Sequence, residues 1–312
     1  MPIPTLFPTN PFKATQTVER TYDAPPRFSK GVDTPPRGSL AWSLNLTTTM
    51  KTSMNLRIAL CFTLLGFSGS AALAADDSFV GKWKLNPDKS QFNGLEYKIE
   101  DAGGGQYRFI FGDDVEVLTL DGKGHVTKYG DTWSIKTTGP SSWESTTKRD
   151  GKVTARSKWT VSEDGQTFTT VDENMRPDGS TGRSESSLKR TSGNSGLAGT
   201  WESTSVKIMT PISIEIAKWE GDGYSLVNPA YKQRLHFKLD GKDYKPTGPR
   251  VAEGTIVSAS KSGDRNMELT YKLKDKTTET DRWELSDDGK TLTQTVNYSG
   301  VSKPEVDVFD RE

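Results

Sequence analysis

The chain has 312 residues, with 41 Lys+Arg against 41 Asp+Glu, one cysteine and two histidines. A balanced charge with no basic stripe argues against nucleic acid as a partner. A single cysteine excludes an internal disulfide and a Cys-built metal site, and two widely separated histidines leave little material for any other.

Residues 1–49 are rich in Pro, Thr and Arg and show no apolar period, which reads as a disordered or mis-called upstream extension. From Met50 the text becomes "MKTSMNLRIALCFTLLGFSGSAALAADD". Lys51 and Arg57 precede the mostly apolar stretch Ile58–Phe67, and Ala72-Leu73-Ala74 supplies a small-residue cleavage site. That order is the anatomy of a secretory signal peptide, too short in its apolar part to span a bilayer. The expected leader is therefore 50–74, starting at Met50 or Met54, and the expected location is periplasmic or secreted. Residues 75–312 hold 34 Lys+Arg and 38 Asp+Glu, a net charge of −4, and Cys61 departs with the leader. No later apolar run reaches the roughly 18 residues of a membrane helix.

The remainder reads as strand and turn. "FVGKWKLNPDKS" opens it at Phe79, and "LAGTWESTS" repeats the Gly-x-Trp start at Leu197, placing Trp83 and Trp201 118 positions apart. Short Val/Thr/Trp/Tyr/Phe runs are punctuated by Asp-Gly at 121, 150, 164, 240 and 288, the strongest short hairpin signal. Tyr107 matches Tyr224, Trp159 matches Trp283, Gly165 matches Gly289 and Arg190 matches Arg311, at offsets of 117 to 124. Offsets that wander so little indicate a duplication. The Ser/Gly-rich Thr191–Gly196 marks the seam, so 75–192 and 193–312 are expected to be two β-barrels of about eight to ten strands each. The fold class is all-β: two tandem antiparallel up-and-down barrels.

Alternation assigns faces. Within Lys152–Val161, the residues Ala155, Ser157 and Trp159 share an inward face, opposite a Lys/Thr/Arg face unsuited to lipid. The same test places Trp143, Ser145 and Thr147 inside the first barrel and Met267, Leu269 and Tyr271 inside the second. Glu279 and Asp281 stand where the first copy has Ala155 and Ser157. The candidate ligand-binding residues are thus Trp143, Ser145, Thr147, Ala155, Ser157, Trp159, Tyr271, Glu279 and Asp281. A small cavity is expected in the first barrel, and a fuller interior in the second.

Gly-x-Trp on a first strand, followed by Arg on a last strand, resembles the lipocalin and wider calycin pattern. The likeness is nearest to short bacterial secreted lipocalin-like domains, here in tandem over 79–312. The resemblance implies that an Arg stacks on the Trp at the closed end of each barrel, Arg190 on Trp83 and Arg311 on Trp201. The family's disulfide and C-terminal helix have no counterpart here.

His125 and His236 have no companion ligands nearby in the sequence, so no metal or cofactor is expected. No nucleophile elbow, phosphate loop or dinucleotide fingerprint occurs. The leading expectation is a non-catalytic binding protein for a small apolar or amphipathic molecule. One alternative is an envelope protein-interaction module with filled barrels; another is an enzyme using Glu279 and Asp281 as an acid–base pair. The sequence leaves the oligomeric state open.

Overall fold

The computed structural model describes residues 78–193 and 195–312. The expected extension, leader and cleavage point lie outside the described residues. The described residues form twenty strands and no helix. In chain order the first ten are β1 (Gly81–Leu85), β2 (Glu96–Gly103), β3 (Gln106–Phe111), β4 (Asp114–Thr119), β5 (His125–Val126), β6 (Thr132–Gly139), β7 (Ser142–Arg149), β8 (Lys152–Val161), β9 (Thr167–Met175) and β10 (Thr181–Ser192). The second ten are β11 (Gly199–Ile208), β12 (Ser213–Trp219), β13 (Gly223–Asn228), β14 (Gln233–Phe237), β15 (Asp240–Tyr244), β16 (Thr255–Gly263), β17 (Asn266–Leu273), β18 (Lys276–Leu285), β19 (Thr291–Tyr298) and β20 (Glu305–Arg311).

The Asp-Gly signals work as the sequence suggests. Arg149 pairs with Lys152 across a two-residue loop in which Asp150 and Gly151 have φ of 50° and 74°. Positive φ at both positions is the type I′ turn, whose twist matches that of the flanking strands.

The strands assemble into two ten-stranded antiparallel sheets, each nearly closed into a barrel. In the second, backbone bonds between Arg234 and Thr247 (2.9 and 2.8 Å) bring the segment after β15 against β14. In the first, side chains span the gap from β4 to the loop after β5: Lys128 N donates to Glu116 (3.2 Å) and the Tyr129 hydroxyl to Asp114 (2.5 Å).

The sheets are not divided at the seam between the repeats. β1 lies between β12 and β20, inside the sheet of the second repeat, and β11 lies between β10 and β2, inside the sheet of the first. Each repeat donates its Gly-x-Trp strand to the other. The expected division into 75–192 and 193–312 therefore fails at the first strands, and the expected pairs are crossed: Trp83 faces Arg311, and Trp201 faces Arg190. The physical reason is chain connectivity. β10 and β11 are consecutive and joined only by residues 193–198, so their hairpin closes at little entropic cost. The expected inter-domain linker is that hairpin's turn. β11 then occupies the first-strand place beside β10, and β1, carrying the same motif, fills the equivalent place beside β20.

Both closures have the same construction. The Arg311 guanidinium carbon sits 4.1 Å from the centre of the Trp83 ring, and that of Arg190 sits 4.0 Å from the centre of the Trp201 ring. Arg311 also donates to the carbonyls of Gly289, Val80 and Ser78 at 2.6–2.7 Å. Arg190 donates to those of Gly165, Ala198 and Gly196 at 2.6–2.7 Å. Each indole N–H is satisfied by the carbonyl four residues earlier, Phe79 or Leu197, at 3.0 Å. The motif glycine makes room: a methyl on Gly81 would come 2.5 Å from Arg311 Nη1, and one on Gly199 would crowd Arg190 Nη1 and the Ser192 carbonyl.

Candidate functional site

The interior of the first barrel is occupied. Phe109, Trp133, Trp159, Phe168 and Trp201 form a continuous chain of edge-on and tilted aromatic contacts with successive ring centres 5.0–6.2 Å apart, and all are buried. The expected cavity beside Trp159 is taken by Phe109, Trp133 and Phe168. The predicted residues do point inward: Trp143, Ser145, Thr147 and Trp159 are buried, and Ala155 and Ser157 half-buried. Their polar atoms serve one another. Trp133 Nε1 donates to Ser145 Oγ (2.7 Å) and Trp159 Nε1 to Ser157 Oγ (2.6 Å). Ser157 in turn donates to the buried Asp172, which also accepts from Thr170 (2.8 Å).

The second barrel interior differs. Met267, Leu269 and Tyr271 of β17 face it as expected, as do Glu279 and Asp281 of β18. The structure adds Gln294 and Tyr298 from β19 and Glu305 and Asp307 from β20. All four carboxylates are at most 3% exposed. Glu279 lies opposite Tyr298, Gln294 opposite Asp307, and Val296 between Asp281 and Glu305. Gln294 Nε2 donates to Asp281 Oδ2 at 2.7 Å, and Asp281 also bonds Glu279 and the Tyr271 hydroxyl. Burial, reinforced by neighbouring carboxylates, raises Asp281 and Glu305 well above the usual carboxyl range and pushes Asp307 up to about 8. Sequence reasoning missed Glu305 and Asp307, although alternation back from Arg311 through Phe309 puts both on its face.

These carboxylates are sealed. A cavity of only about 30 Å³ reaches Asp307, walled by Arg176, Tyr231 and Ser184 among others. It has room for one or two waters and admits no organic substrate to Glu279 and Asp281.

The larger space lies between the barrels. A solvent-open cleft of about 300 Å³ is lined by Phe111, Asp113, Asp114, Lys128 and Tyr129 from one barrel and by Leu273, Lys274, Lys276, Thr277, Thr278, Tyr298 and Ser299 from the other. None of the nine predicted ligand-binding residues lines it. Its floor is aromatic: Tyr97 stacks on Phe111 at 4.8 Å, and Phe111 meets Tyr298 edge-on at 5.4 Å. Two turns lock the barrels together beneath it. Asp113 N donates to the Ser299 carbonyl (3.1 Å) and Ser299 Oγ to Asp113 Oδ2 (2.7 Å), while Gly112, at φ 54°, has no space for a side chain against Ser299.

The rim is basic. Lys128 is tied to Asp114 (2.5 Å), and Lys276 lies 3.8 Å from Asp113. Lys274 and Asp275 form a tight turn with φ of 50° and 66°, at the place where the first repeat has Asp150-Gly151. Left-handed backbone without glycine is strained, and here it holds Lys274 at the mouth of the cleft.

The two histidines are engaged apart from each other, His125 against Glu116 (3.3 Å) and His236 stacked on Trp219 (5.0 Å). Among the described residues no group of three His, Cys, Asp or Glu side chains is placed to hold a metal, and no helix is long and apolar enough to cross a membrane. No family model matches the chain, and neither a curated protein nor a solved structure matches it.

Proposed function

We propose that this is a secreted or periplasmic, non-catalytic binding protein for a small amphipathic molecule, held in the cleft between the barrels. The observation that carries the reading is the composition of that cleft: an aromatic and aliphatic floor of Phe111, Tyr129, Leu273 and Tyr298 beneath Lys128, Lys274 and Lys276, with about 300 Å³ of space. Ligand pockets combine largely apolar walls with a few placed polar groups, and this volume is at the lower end of their range. The apolar part of a ligand packs on Phe111 and Leu273, and an anionic head meets Lys274 and Lys276. The lipocalin-like reading rests on the Gly-x-Trp and Arg closure present at both barrels. The filled first barrel favours a site outside the barrels over the interior site expected from the sequence.

The probe is 1-anilinonaphthalene-8-sulfonate, which joins fused rings to a sulfonate. A saturable fluorescence rise with a single site is expected. Lys274→Glu with Lys276→Glu should weaken it about tenfold, the size of a lost charge-assisted contact, and Thr277→Trp should block it. Binding unchanged in both variants, or no saturable binding, refutes the cleft as the site. Export is checked separately: the mature N-terminus should read Ala75-Asp76-Asp77-Ser78.

A further inference from the structure

The interior of the second barrel has an imbalance of hydrogen-bonding groups. Five buried oxygen acceptors there have no partner: Asp281 Oδ1, Gln294 Oε1, both oxygens of Glu305, and Asp307 Oδ1. Three buried donors nearby are unused: Trp283 Nε1, the Tyr298 hydroxyl, and Nε of Arg176, which lines the small cavity that reaches Asp307. Tyr298 is 8% exposed, sits opposite Glu279, and has Glu305 as its strongest charged neighbour. Ionised carboxylates only accept, so the five acceptors outnumber those three donors. Buried polar groups are nearly always paired, and leaving one unpaired is costly. Among the described residues no Lys, Arg or His forms an ion pair with Asp281, Glu305 or Asp307.

We propose that the second barrel encloses a proton-binding site formed by Asp281, Glu305 and Asp307 together with Glu279, and that its bound protons hold this barrel closed. A proton on a carboxyl removes an acceptor and adds a donor, so each bound proton narrows the excess of acceptors by two. The ligand is the proton rather than a metal ion, because no three of these groups converge in ligating geometry. The titratable and charged groups facing the cluster come from each element around it: Tyr271 of β17, Glu279 and Asp281 of β18, Tyr298 of β19, and Glu305 and Asp307 of β20. Tyr97 of β2 lies towards Glu305, and Arg176, Arg183 and Tyr231 face Asp307 across the small cavity.

The direction of the pH dependence follows. In the unfolded chain these carboxyls lose their protons near pH 4; in the folded barrel Asp307 keeps its proton to about pH 8, and Asp281 and Glu305 are raised well above the usual range. The native state therefore binds more protons across that window, and stability falls as pH rises through it.

Thermal melts of the purified protein at pH 5, 7 and 9 should show the midpoint dropping by roughly 10 °C from first to last. Glu305→Gln, neutral at every pH, should flatten that slope and raise the midpoint at pH 9. Infrared spectroscopy of the wild type at pH 7 should show the C=O stretch of buried protonated carboxyls, an observation that does not depend on any variant folding. A midpoint that is flat or rises from pH 5 to 9, or no protonated-carboxyl band at pH 7, overturns the proposal. Recovery of the pH 9 midpoint on adding Na⁺, K⁺ or Ca²⁺ also overturns it, since the ligand is then a metal cation.

Discussion

The two barrels share a strand plan and differ in what they enclose. At six matched inward positions the first has Ala155, Ser157, Thr170, Asp172, Ser184 and Ser186, and the second has Glu279, Asp281, Gln294, Val296, Glu305 and Asp307. The first therefore places one carboxylate among hydroxyl donors, and Asp172 is satisfied by Ser157 and Thr170. The second replaces those donors with more acceptors. The backbone tolerates either interior, so barrel geometry does not dictate the chemistry inside. That is set by whether a buried carboxylate has a donor within reach.

The largest expected effect concerns which barrel owns which strand. Deleting residues 78–85 removes β1 and should open the second barrel, although the deletion lies at the start of the first repeat. Hydrogen exchange should show protection lost in β12 and β20 and kept in β7 to β10. Loss confined to β2 and β10 would mean that the Gly-x-Trp strands are not exchanged.

Next is the contrast between the interiors. Asp172→Ala strands the hydroxyls of Ser157 and Thr170 and opens a small void, at an expected cost of about 1–3 kcal/mol. Chemical denaturation at pH 8 measures it. Glu305→Gln in the other barrel should change stability in the opposite direction. Two losses of the same sign would erase the distinction between a satisfied and an unsatisfied carboxylate.

Much of this was legible in the sequence. Asp-Gly spacing located the hairpins, the 117–124 offsets revealed the duplication, and alternation placed Ser145, Trp159, Tyr271, Glu279 and Asp281 inside. The exchange was not legible, because β1 and β11 carry the same motif and nothing local says which last strand each one meets. The cleft was missed for a related reason. It is built from turns, Gly112-Asp113 against Ser299-Gly300 and the Lys274-Asp275 corner, and a face pattern along strands has nothing to say about where two turns dock.

The closures allow a finer comparison. Gly81→Ala brings a methyl against the far end of the flexible Arg311 side chain, which can give way, so the cost should be near that of the cation–π contact, about 1 kcal/mol. At Gly199 the same methyl also comes 2.6 Å from the Ser192 carbonyl, which is backbone and cannot yield. Gly199→Ala should therefore cost more, about 2–3 kcal/mol, within the range for overpacking. Thermal melts of the two variants rank them, and equal costs would mean that the Arg side chain sets both.

The smallest effect, a coupling energy at Arg311, is the most specific to the topology. Arg311→Ala removes a guanidinium lying over Trp83 together with its bonds to the carbonyls of Ser78, Val80 and Gly289. That side chain is exposed, so the loss should be about 1–2 kcal/mol. Part of that loss depends on the ring beneath. With Trp83→Leu as the second mutation, the pair should be non-additive by about 0.5–1 kcal/mol, because neither variant then retains the stacked contact. With Trp201→Leu instead, Arg311→Ala should add in full, since Trp201 lies under Arg190 in the other sheet. Denaturant melts of the three single variants and two doubles in the intact chain give both coupling energies. Coupling to Trp201 and none to Trp83 would restore the unexchanged pairing; coupling to Trp83 alone ties the last strand of the second repeat to the first strand of the first.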